Sequence, residues 1–193
     1  MKKIISILLV ILLICSFSVS ASAVKKTNRT FKSQNATERE TVEFTWEEFE
    51  QDIKESGIEG KFETLDEVNL KFWLPDLLEE EELTEEDREN GFIKYYSTED
   101  DSAVMSVVYY DAGIKSLEEW QAELEQEPDV ADIETIIVNG YYALFYDVSE
   151  DDVFCIDFST EAGYLLEFTF YPMSDEDYQG LAALIISSLQ PEE

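Results

Sequence analysis

IETIIVNGYYALFYDVSEDDVFCIDFSTEAGYLLEFTFYP, Ile133 to Pro172, decides the fold. Asn139-Gly140 separates two runs rich in β-branched and aromatic residues. Both turn residues tolerate the positive φ that a two-residue hairpin requires. EDD and TEAG then separate YYALFYDVS, VFCIDFS and YLLEFTFYP. The stretch predicts a long antiparallel meander.

Working outward, GFIKYYS and AVMSVVYYD form another hairpin across TEDDS, and SLEEWQAELEQ follows as a helix. Ser116 and Glu119 make its capping box, and Leu117, Trp120 and Leu124 its apolar stripe. At the far end SDEDYQGLAALIISSLQ reads as a helix. Ser174 is its expected cap, and Tyr178, Leu181, Ile185 and Leu189 recur at helical spacing. Upstream, TWEEFEQDIKESG predicts a short helix with a Thr45/Glu48 capping box, a face of Trp46, Phe49 and Ile53, and a stop at Gly57. KFETL and NLKFWLP read as strands, the second ended by Pro75, which lacks a ladder donor. PDLLEEEELTEEDRENG is an acidic excursion in which Thr84 caps a single turn and Glu79 to Glu82 face water. Helices segregated from an antiparallel sheet define an α+β fold. One domain is expected over residues 41–193.

The first 23 residues, MKKIISILLVILLICSFSVSASA, have a basic start, an apolar run and small residues at 21 and 23. They read as a signal peptide cleaved after Ala23, which makes the protein secreted and extracellular. The competing reading is an uncleaved anchor. Lipidation at Cys15 is disfavoured because Ile14 is not small. No stable membrane span is expected after cleavage. Residues 24–40 read as a flexible basic linker, with Lys25, Lys26, Arg29, Lys32 and Arg39 against Glu38 and Glu40.

The whole chain carries a net charge of −32, with 13 basic and 45 acidic residues. Such a chain repels nucleic acid and anionic membranes, and attracts basic proteins or multivalent cations. The plainer reading of the charge is solubility. The chain has no histidine, which excludes Ser-His-Asp and Cys-His catalysis and histidine-ligated zinc. No glycine-rich phosphate loop occurs. Cleavage leaves Cys155 as the one thiol, and its place in an alternating strand predicts a small buried hydrophobe.

The remaining chemistry lies with carboxylates. Glu99, Asp100 and Asp101 share one hairpin tip, and Glu150, Asp151 and Asp152 another. Asp100, Asp101, Asp151 and Asp152 are the candidate calcium ligands, since calcium takes clustered oxygens. Against this stand the missing D-x-D-x-D-G pattern and the habit of hairpin tips to be polar. A carboxylate-pair hydrolase is the enzymatic alternative, although 45 acids allow almost any pairing. Tyr95-Tyr96, Tyr109-Tyr110 and Tyr141-Tyr142 are adjacent in strands, so each pair should place one ring on each face.

NLKFWLPDLLEE, a hairpin, SLEEW, VNGYYALFYDV, two further strands and a final I-I-x-S-L helix come in the order of another group. Over roughly residues 41–190 the chain resembles the PsbP-like α/β/α sandwich, also found in small secreted bacterial proteins of unknown function. The motifs are structural, so the resemblance implies a fold and carries no site across. It implies assembly or binding. The expectation is a non-enzymatic binding or accessory domain with a protein or cell-envelope partner. No cofactor is expected unless the acidic tips take calcium.

Overall fold

The computed structural model describes residues 42–114, 116–160 and 163–192. The expected signal peptide and basic linker lie outside the described residues. The strands are β1 (Val42–Phe44), β2 (Gly60–Leu65), β3 (Leu70–Pro75), β4 (Glu79–Glu80), β5 (Phe92–Ser97), β6 (Val104–Asp111), β7 (Val130–Val138), β8 (Tyr141–Val148), β9 (Val153–Ser159), β10 (Tyr164–Tyr171) and β11 (Gln190–Pro191). The helices are α1 (Trp46–Ser56), α2 (Glu85–Glu89), α3 (Leu117–Leu124) and α4 (Glu176–Ser187).

Among the described residues an eight-stranded sheet runs β1-β7-β8-β9-β10-β6-β5-β4. The meander from β7 to β10 is antiparallel throughout, and β10 then pairs with β6. Asn139 and Gly140 turn the β7–β8 hairpin at φ 46° and 85°, as a two-residue turn with both φ positive requires. One pairing departs from the antiparallel expectation. β1 joins β7 in parallel, Val42 opposite Ile136. This strand was not anticipated, because three residues give too short a pattern to read. β2, β3 and β11 form a separate three-stranded sheet.

The main core lies between one face of the large sheet and a cover of α1, α4 and the small sheet. Phe154, Ile156, Phe158, Phe168 and Phe170 point into it, with Phe72 from β3 and Leu184 and Ile185 from α4. Phe72 meets Tyr96 and Phe168 edge-on at 6.1 and 5.9 Å. Each fully buried aromatic of this kind stabilises the fold by about 1.5–3 kcal/mol. Alternation sends the other residues of β9 to the opposite face, where Cys155, Leu144 and Tyr146 meet Leu124 of α3.

One expected cap is revised. α4 is capped by Asp175, whose Oδ1 accepts the Asp177 and Tyr178 amides. Ser174 instead donates its amide and hydroxyl to Asp152. Thr45 holds the N-cap position of α1, and the Trp46 amide donates to Asn139 Oδ1 at 3.0 Å. Asn139 Nδ2 also donates to the Ser187 and Leu189 carbonyls, at 2.6 and 2.7 Å. One turn residue thus ties the start of α1 to the end of α4.

Candidate functional site

The acidic excursion builds a cleft on the β4–β5 edge. β4 pairs with β5, and the Glu81 amide continues the pairing by donating to the Tyr95 carbonyl at 2.9 Å. α2 follows, fixed by a full capping box. The Thr84 hydroxyl accepts the Asp87 amide, and Asp87 Oδ2 accepts the Thr84 amide. These hydrogen bonds hold the Asp87 carboxyl below its ordinary pKa.

Together these elements enclose about 590 Å³, lined by Glu81, Glu82, Leu83, Asp87, Phe92, Tyr95, Ser97 and Asp101. Four carboxylates therefore surround two aromatic rings, and no basic side chain is among the lining residues. Burial, and after it the charges of Asp101, Glu81 and Asp87, push the Tyr95 hydroxyl pKa up. A negative cleft over aromatic faces suits a cation. A second cleft of about 490 Å³ lies between α1 and the β2–β3 hairpin, lined by Trp46, Ile53, Ile58 and Trp73 together with Glu50, Lys54, Glu59 and Asp76.

The candidate calcium ligands divide. The two acidic tips lie at one end of the sheet, because Val104 pairs with Tyr171 while Phe154 pairs with Phe170. Asp100 turns inward on its own loop. Its Oδ1 accepts the Thr98 hydroxyl, the Ser102 hydroxyl and the Ser102 amide at 3.0, 2.7 and 3.2 Å. Asp152 is taken up by Ser174, Asp151 is exposed, and Asp101 faces the acidic cleft. Among the described residues, no three His, Cys, Asp or Glu side chains come together as a metal-holding group.

Beneath α3 lies a pair that the sequence reading missed. Asp157 and Glu167 are direct partners across β9 and β10. Asp157 is fully buried, its Oδ2 accepts the Trp120 indole N–H at 2.5 Å, and its Oδ1 has no partner. Glu167 accepts the Thr169 hydroxyl at 3.2 Å and the Tyr146 hydroxyl at 3.4 Å. Burial raises the pKa of both carboxyls, and their mutual repulsion raises that of Asp157 further. Burial pushes the Cys155 thiol up to about 12, and Glu167 adds to it. The expected inert, buried cysteine is thus what the fold holds. A legible signal existed: VFCIDFS and YLLEFTF each place an acid mid-strand in otherwise apolar alternation.

The tyrosine pairs follow the two-face rule in part. Tyr96 is core while Tyr95 lines the cleft. Tyr109 stacks on Tyr164 at 5.2 Å. Tyr141 and Tyr142 are both exposed, next to the hairpin turn where neither face is fully covered.

No family model and no curated protein matches the chain. Among solved structures it is similar to a cyanobacterial PsbP, CyanoP from Synechocystis sp. PCC 6803. The identity is 14% and the TM-score 0.49, over 68% of this chain and 92% of that one. It is also similar to a protein from Bacteroides thetaiotaomicron VPI-5482, at 13% identity and a TM-score of 0.43, over 69% of this chain and 49% of that one. No helix among the described residues is long and apolar enough to cross a membrane.

Proposed function

We propose that the protein is a secreted, non-enzymatic binding or accessory domain. In this reading a PsbP-like α/β/α sandwich presents the β4–β5 cleft to a cationic segment of a protein or cell-envelope partner. The observation that carries it is the lining: Glu81, Glu82, Asp87 and Asp101 around Phe92 and Tyr95. A lysine or arginine side chain entering there gains carboxylate partners at its head and aromatic contact along its stem. The net charge of −32 draws such a segment in from a distance.

A lysine- and arginine-rich peptide titrated onto the protein tests this. Asp101→Asn keeps a residue type comfortable at its φ of 57°, and Glu82→Gln removes a second charge at an exposed position. The double variant should bind about tenfold more weakly, roughly 1.4 kcal/mol. Equal neutralisation of Glu47 and Glu123, exposed charges elsewhere, should leave the affinity nearly unchanged. Equal losses in both double variants would reduce the cleft to general charge attraction.

A second reading, calcium at Asp100, Asp101, Asp151 and Asp152, draws on the placement of both tips at one end of the sheet. The hydrolase alternative gains least. Asp157 is fully buried, and neither it nor Glu167 lines either cleft described above.

A further inference from the structure

Asp157 on β9 and Glu167 on β10 oppose one another at the middle of the large sheet, flanked by β8 on one side and β6 on the other. Five elements bring side chains to them, β10 through the Thr169 hydroxyl. β8 supplies Tyr146, β9 Cys155, β6 Tyr110, and α3 the Trp120 indole. All of these are uncharged at neutral pH. Among the described residues no lysine or arginine acts on either carboxyl. One negative charge on the pair is well received, because the indole donates to Asp157 and the Tyr146 and Thr169 hydroxyls to Glu167. A second charge is held poorly, since Asp157 Oδ1 is buried without a partner and the two charges would stand opposite one another away from water. Two opposed carboxylates in such a place share a proton instead of both ionising.

The cover over the pair is slight. α3 has eight residues, and Leu124 is its one fully buried side chain, against eight buried residues in α4. Gly113, at φ 65° and with open space around it, precedes the helix. Water therefore reaches a doubly charged pair most readily by displacement of α3, the helix that covers it, which has far less buried surface to lose than α4.

We propose that Asp157 and Glu167 form a proton-operated latch for α3. While the pair holds its shared proton, Trp120 keeps the helix on the sheet. When that proton leaves, the demand of two buried like charges for water outweighs the strengthened Trp120 bond, α3 lifts, and the sheet face around Tyr146 and Cys155 meets solvent.

Two readouts on the full chain test the latch between pH 6 and pH 9. One is hydrogen exchange of the α3 amides, corrected for the intrinsic rate. The other is alkylation at Cys155, which packs in the same cluster as Leu124, resolved by peptide mass so that Cys15 does not contribute. Thiolate chemistry is divided out against an unstructured cysteine peptide labelled at each pH. In the wild type, α3 protection should fall at least tenfold across this range while α4 stays protected, and Cys155 labelling should rise in step. Glu167→Gln and Asp157→Asn should both flatten the response. Should Asp157→Asn not fold, Glu167→Gln carries the comparison. An unchanged pH profile in Glu167→Gln, constant α3 protection in the wild type, or joint loss of α3 and α4 would each overturn the latch.

Discussion

At the scale of single residues, Asn139 and Tyr96 show how far sequence patterns reach. Asn-Gly announced a turn, and the turn is there. The bonds from Asn139 to Trp46, Ser187 and Leu189 were not legible, because they join segments 48 to 93 residues apart. Asn139→Gly keeps the positive φ but removes all three bonds. It should cost about 2–4 kcal/mol, at about 1 kcal/mol per bond plus the loss from stranded carbonyls. Urea denaturation measures it. Tyr96 presents the opposite case. Its hydroxyl is buried without a partner against the core, an arrangement that costs about 1–3 kcal/mol. Tyr96→Phe should leave the melting temperature unchanged or raise it. A clear drop in thermal denaturation would show that the hydroxyl has a partner in solution.

Among the elements, the meander and the helices α1, α3 and α4 were readable, because their periodicities are long enough to stand above noise. β1 and β11 were not: three and two residues form strands only because a partner edge is waiting. The acid pair beneath α3 was hidden for another reason. Each acid stands out mid-strand on its own, but only the register that aligns Asp157 with Glu167 makes them a pair. That pair sets a pH dependence. Raised carboxyl values in the folded state mean that it binds more protons than the unfolded chain, so stability falls as pH rises. The fall begins near the ordinary carboxylate value of about 4 and ends near the raised value of Asp157, about 8. Denaturant midpoints from pH 4 to 9 should decline in the wild type and decline less in Asp157→Asn. Parallel declines would assign the effect to the general negative charge.

For the whole molecule, charge is the dominant fact and the least specific. A sequence with 45 acids cannot say which of them act together. Folding selects four and sets them around Phe92 and Tyr95, while Asp100 and Asp152 are taken up by neighbouring hydroxyls and amides. Divalent ions should therefore act by screening. Millimolar calcium and magnesium should raise the melting temperature by similar amounts, whereas a calcium-selective rise would favour the hairpin-tip reading. The most direct measurement is an amide-shift map of the labelled protein titrated with a lysine- and arginine-rich peptide. The cleft account predicts saturable shifts concentrated at residues 81–87, 92–97 and 101, weakening with added salt. Shifts spread evenly over the acidic surface, or centred on another face, would contradict it.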